Sequence, residues 1–385
     1  MMSATARSIL TPAAIGRLML GWGTFVALML SGSLLEAPAP PLLVAALAVI
    51  VGVILVCSFG VVHEAEHLAR RLGDPYGSLV LTLSIVVIEV ILIAAVMLGP
   101  GEHATIARDS VMAVSMIILN AVIGLCLLVG GMKHSDMRHN RTGTSAYLAV
   151  LVVLSSLALA LPGLIGREGA YTPGQELPVI VLTVVLYGFF LFRQMGKQAG
   201  DFREVDPRLT AAVALGGDVP SAEGRQSVAR VIAEHRRELL LRAALLVATV
   251  LPIVLLSHDM AALLDDGLGR IGAPVALAGV LIAMIVFLPE AITSLRAALQ
   301  GEIQRVINLC HGALVSTVGL TIPAVLVIGS LTGQTVVLAE SPVNLLLLGI
   351  TLLLSVTTFS AKSVTAMHGA AHLVVFAVYG IAIFS

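Results

Sequence analysis

The feature that most constrains this chain is the recurrence of long apolar runs. Each has about 18 residues or more, enough to cross a hydrocarbon layer about 30 Å thick. Eleven such spans are expected, at 18–35, 41–62, 78–98, 109–131, 146–162, 177–193, 239–257, 273–295, 307–330, 343–360 and 368–384. Gly and Pro clusters punctuate them, as in EAPAP (36–40), GDPYG (73–77) and GPGE (99–102). Only 12% of the 385 residues are charged, about half the share found in soluble domains. The fold class is therefore an all-α polytopic membrane protein whose first partner is the lipid bilayer. A net charge of −1 offers no field for nucleic acid. Cys57, Cys126 and Cys310 fall inside apolar runs and read as small packing residues, with no disulfide framework. Arg7 and Arg17 precede the first run as in a signal peptide, but 18–35 is long for a secretory segment and reads as an uncleaved first helix.

Basic residues orient the spans. With the N-terminus in the cytoplasm, 19 of the 22 Lys and Arg residues fall on the inner side. Only Arg108, Arg167 and Arg270 fall outside. A wrong number of spans would scramble that alternation. The chain then divides into a leading helix (1–38), five spans (39–195), a cytoplasmic loop (196–237) and five more spans (238–385). The loop ends in ARVIAEHRREL (229–239), which reads as a surface helix. Five is odd, so the second block enters the membrane from the opposite side. That is the arrangement of inverted-repeat transporters, whose substrate site lies near the midplane between repeats.

The third and eighth spans correspond, and each carries one glutamate. Glu89 lies near mid-bilayer in LTLSIVVIEVILIAAVML, and Glu290 lies in VLIAMIVFLPEAITSL. An ionisable group there costs at least about 2.5–3.5 kcal/mol, which makes function its default reading; the bland reading is a neutral carboxyl bonded to a neighbouring helix. Pro289 breaks the helical ladder and frees a carbonyl for a cation; its bland reading is a simple kink. Ca2+ takes six to eight oxygen ligands, and two glutamates match its charge and can equally be neutralised by two protons. An empty, doubly charged site is costly to occlude, which couples the two fluxes. Asn120 and Ser115 in the fourth span, and Asn308, Ser316 and Thr317 in the ninth, offer neutral oxygens, with helix–helix hydrogen bonding the even alternative. Ser84 and Thr82 have weaker claims. No resident cofactor is implied; Ca2+ is cargo.

His63, Glu64, Glu66 and His67 spell HEAEH, which matches the zinc-protease pattern H-E-x-x-H. A protease would need a third ligand, and Asp265 and Asp266 are the candidates. The expected topology puts them a membrane thickness away from the histidines. The milder reading makes His63, Glu64 and His67 a polar helix end at the cytoplasmic entrance, serving as proton relay or cation screen. His311, His368 and His372 read as packing or hydrogen-bonding residues.

At these residues the chain resembles bacterial Ca2+/H+ antiporters of the cation/Ca2+ exchanger superfamily, in the ChaA-like branch. The stretches that carry the likeness are HEAEHLARRLGDPYGSLVLTLSIVVIEVILI (63–93), LGRIGAPVALAGVLIAMIVFLPEAITSLRAALQ (268–300), INLCHGALVSTVGLTIPAVLVI (307–328) and HGAAHLVVFAVYGIAIF (368–384). The resemblance implies a multi-pass inner-membrane exchanger that trades cytoplasmic Ca2+ for protons. It puts the paired acids on Glu89 and Glu290, and the polar helices on the spans of Asn120 and Ser316. Many members carry Gly-Asn just before the glutamate. Here Ile85 and Val86, and Val286 and Phe287, hold those places, which leaves Na+ or K+ as alternative cargo. The family's acidic helix between the halves is here a mixed-charge loop.

Overall fold

The computed structural model describes residues 9–31, 38–72, 104–205, 228–274 and 276–384, together with Val86, Val90, Ile93 and Met97. Its helices are α1 (Pro12–Leu30), α2 (Pro40–Leu72), α3 (Ile106–His134), α4 (Arg141–Ile165), α5 (Pro173–Met195), α6 (Val228–Arg270), α7 (Ala276–Gln300), α8 (Ile303–Thr332), α9 (Pro342–Ser360) and α10 (Ala366–Ile383). Among the described residues, nine helices are long and apolar enough to cross a membrane, or ten if the bent α7 is one span. These match ten of the eleven expected spans. The remaining one, 78–98, lies outside the described residues except at the four isolated positions. The chain is an all-α, polytopic membrane protein.

Several helices begin before their apolar run because polar residues cap them. Thr11 accepts the amide of Ala14 ahead of Pro12, and Ser341 accepts that of Asn344 ahead of Pro342. A hydroxyl at the N-cap followed by Pro satisfies one orphan amide and removes another. The surface helix expected at 229–239 is not separate. It runs into the seventh span as one helix, α6, broken only at His235 (φ −111°, ψ 18°).

Two compact units divide the chain: Met1–Ser84 with Pro220–Ala278, and Ile85–Val219 with Gly279–Ser385. The division cuts across the sequence repeats. The first unit takes the leading helix and the first helix of each repeat. In it α1 packs on both α2 and α6. A methyl at Gly21 would meet Pro252 and Cys57 at 3.0–3.1 Å, and the Trp22 indole donates to the Ala248 carbonyl at 3.0 Å. The leading helix is thus an integral packing element. Helices α2 and α6 run antiparallel: Arg242 meets Glu64 near one end, and Arg270 donates to the Pro38 carbonyl at the other.

The second unit holds the main core, and its contacts repeat with exchanged partners. Strand β1 (Met137–Arg138), between α3 and α4, pairs antiparallel with β2 (Ser363–Val364), between α9 and α10. The counterpart links the other two connections, where Ala170 between α4 and α5 bridges Val337 between α8 and α9. Helix packing follows the same rule, with α3 against α10 and α8 against α5. Exchanging the repeats maps each pair onto the other, as an internal two-fold requires. The α3–α10 contact is close because both sides are glycine: a methyl at Gly369 would strike Leu128 N and Gly124 O.

Candidate functional site

Glu290 lies in α7, one residue after Pro289, and is 4% exposed. Proline has no amide proton for the Ile285 carbonyl, and its ring clashes with that carbonyl. The helix responds there: Gly279–Ile285 and Phe287–Gln300 meet at 53°. Thr293 donates its hydroxyl to the Pro289 carbonyl at 2.9 Å. One turn beyond Glu290, Ser294 faces Cys310 of α8 across 3.5 Å. Glu290, Pro289 and Ser294 therefore form one acidic, bent stretch inside the second unit.

Asn120 is fully buried in α3, inside a π-helical turn over Ile117–Val122. Its amide donates to Thr351 Oγ1 of α9 at 2.8 Å. Its oxygen lies 3.2 Å from His372 Nδ1 of α10. An oxygen there requires Nδ1–H, so Nε2 accepts the Thr358 hydroxyl at 3.3 Å. Ser316 of α8, also buried, accepts the Tyr187 hydroxyl of α5 at 3.0 Å. Asn120 thus bonds to α10 and Ser316 to α5, the same relation under the internal two-fold.

Other expected donors serve elsewhere. Ser115 bonds back to the Val111 carbonyl of its own helix. Asn308 donates to the Phe202 carbonyl and accepts from Gln304, so it ties down the segment after α5. His311 is buried with Nδ1 3.3 Å from the Ile307 carbonyl, and His368 closes the capping box of α10 with Thr365. Glu89, Ser84 and Thr82 lie outside the described residues. Sequence reading passed over Thr351, Thr358 and Tyr187 because their polarity has no meaning until the spans are paired.

HEAEH lies on α2. His63 is exposed, and its Nε2 lies 3.3 Å from that of His67. Glu64 points the other way, is buried, and takes Arg242 at 2.7 Å with side-chain exposures of 8% and 11%. A carboxylate held by arginine is poorly placed as a general base. Asp266 pairs with Arg270, beside Pro38 at the far end of α2, about 36 Å from Glu64 along 24 helical residues. Among the described residues, no group of three or more His, Cys, Asp or Glu side chains is arranged to hold a metal ion.

Comparison with known proteins agrees with this architecture. The Sinorhizobium fredii protein y4hA is 36% identical over 324 residues, covering 83% of each chain. The sodium-potassium/proton antiporter ChaA of Escherichia coli is 31% identical over 340 residues, covering 86% of this chain and 87% of its own. The crystal structure of the H+/Ca2+ exchanger CAX shares the fold at 14% identity, with a TM-score of 0.68 over 96% of this chain and 89% of that one. Residues 42–196 and 241–384 match the sodium/calcium exchanger protein family, to which this chain belongs.

Proposed function

We propose that the chain is a proton-coupled antiporter that exports Ca2+ from the cytoplasm by alternating access. Glu89 and Glu290 bind either the cation or protons, and Asn120, Ser316 and the carbonyl freed by Pro289 supply neutral oxygens. The observation that carries this reading is Glu290, a carboxyl buried to 4% exposure beside a 53° bend in an apolar helix. A carboxyl in such a place is costly unless it is discharged by a cation or a proton. Requiring discharge before the helices rearrange makes the empty site immobile and the exchange obligatory. The N-terminus is cytoplasmic on this reading, in the inner membrane of a bacterium.

A second reading, export of Na+ or K+, draws on the printed activity of the ChaA relative. It also draws on Val286 and Phe287, which leave no side-chain amide before Glu290. A site without such amide oxygens falls further short of the six to eight ligands that Ca2+ takes. Inverted vesicles loaded with protons and challenged separately with Ca2+, Na+, K+ and Mg2+ distinguish the two. Proton release by Ca2+ alone or first supports the primary reading, and release by Na+ or K+ with none by Ca2+ replaces it. Glu290→Gln and Glu89→Gln should each abolish the release, and near-normal exchange in either would remove the two-carboxylate mechanism.

A further inference from the structure

Two buried titratable groups of the second unit lie outside the exchange site, and the internal two-fold relates them. His139 immediately precedes Asn140, the N-cap of α4; Glu340 immediately precedes Ser341, the N-cap of α9. Each also touches the far end of the other's helix. His139 Nε2 lies 3.0 Å from the Phe359 carbonyl in α9, and the Glu340 amide donates to the Leu159 carbonyl in α4 at 3.0 Å. From Arg141 to Leu159, α4 rises about 27 Å, close to the roughly 30 Å of a hydrocarbon core. The two groups therefore sit at opposite membrane faces.

The Glu340 side chain is 2% exposed. Its Oε2 accepts the Ser341 amide and Asn344 Nδ2, both at 2.9 Å. Among the described residues no donor reaches the buried Oε1. Arg108 Nε stands 3.9 Å away and already donates to Asp109 Oδ1 at 2.8 Å. Two donors on one oxygen and none on the other leave the second oxygen open to carry a proton. Arg108 and Asp109 of α3, and Tyr379 of α10, are the titratable groups around it. Burial pushes the Glu340 pKa above the usual carboxylate value. Hydrogen bonds from Asn344 and Ser341 and the charge of Arg108 oppose the rise, and Asp109 adds to it.

His139 is the mirror case. It is 4% exposed. Its carbonyl partner requires Nε2–H, and among the described residues Nδ1 is buried with no hydrogen-bond partner. Arg141 and His311 are the titratable groups near it. Burial lowers its pKa, Arg141 lowers it further, and the bond to Phe359 opposes both.

We propose that Glu340 and His139 are proton-binding sites, one at each membrane face, that keep the ends of α4 and α9 packed only while both are uncharged. The signs are opposite. Glu340 gains a charge when its face turns alkaline, and His139 gains one when its face turns acidic. Each charge would be buried with too few partners, so the end it holds loosens. The effect on transport rests on the antiporter reading; the proton sites do not.

Infrared titration of the purified protein in detergent tests the sites without transport. The difference between wild type and Glu340→Gln, in which the bands of Glu89 and Glu290 cancel, should contain a protonated carboxyl band at neutral pH that disappears on alkalinisation. Arg108→Gln, which keeps Glu340, should move the disappearance to higher pH. A difference spectrum with only carboxylate at every pH, or no shift in Arg108→Gln, would overturn the proposal. In oriented vesicles, Glu340→Gln should flatten the response to pH on its own face, and His139→Gln should flatten the response on the opposite face. Loss of both responses in either variant, or of neither, would overturn the division by face. Vesicles that exchange nothing while the Glu340 band still titrates would sink the antiporter reading and uphold the proton site.

Discussion

At the scale of single residues, Glu340 accepts the Ser341 amide and Asn344 Nδ2, and His139 meets the Phe359 carbonyl, so each is held by few partners. Glu290, Asn120 and Ser316 stand out in the sequence because an ionisable or amide group in hydrocarbon must be satisfied by something. Glu340 and His139 carry no such signal, since a charge at a span end normally meets water. Their burial arises only because each connection folds back onto the far end of a helix from the other repeat. Glu64 shows the converse: its sequence setting suggested a base or an entrance group, and the structure gives it to Arg242. Breaking such a pair leaves a charge buried, which costs about 3–5 kcal/mol. Glu238 also holds Arg242, at 3.2 Å, so Glu64→Gln should lose about 3 kcal/mol, the low end. Thermal unfolding in detergent measures it, and Glu64→Leu with Arg242→Met should regain most of the loss. A single variant with unaltered unfolding would refute the structural role of the pair.

At the scale of elements, the helices were largely legible and their irregularities only partly so. Apolar length announces a span, and Pro289 announces a kink. The π turn around Asn120 has no sequence mark, because inserting one residue into a helix changes registry and leaves composition untouched. Both irregularities fall beside candidate ligands, where unbonded carbonyls have a use. The bend of α7 gives a direct test. Pro289→Ala restores an amide to the Ile285 carbonyl and removes a ring clash, a change worth about 3 kcal/mol in an undistorted helix. The core has formed around the bend, so the gain in stability should be smaller. The variant should unfold at a higher temperature and exchange cations more slowly. Exchange at the wild-type rate would show that the bend is incidental to transport.

At the scale of the whole chain, counting spans points to inverted repeats, and the paired connections of the second unit have the exchanged partners such repeats would produce. The compact units were not legible, because the first takes one helix from each repeat and joins them to α1. Such a grouping depends on which helix faces meet, and nearly every face in this chain is apolar. The opposition of the two faces also admits a test of orientation. Lys362 precedes β2, which pairs with β1 beside Arg138 and close to Arg141, three basic residues at one end of the unit. Arg167 bridges Ala170, which bridges Val337 at the other. On the orientation proposed above, which follows the basic bias, the first end faces the cytoplasm. The native cysteines Cys57, Cys126 and Cys310 are all buried, so they leave little background for a membrane-impermeant thiol reagent. Added to intact cells, the reagent should modify Arg167→Cys and spare Lys362→Cys; in inverted vesicles the pattern should reverse. Labelling of both from one side would contradict the two-fold itself. The reverse pattern in both preparations would keep the fold and turn it over, placing Glu340 against the cytoplasm and His139 outside.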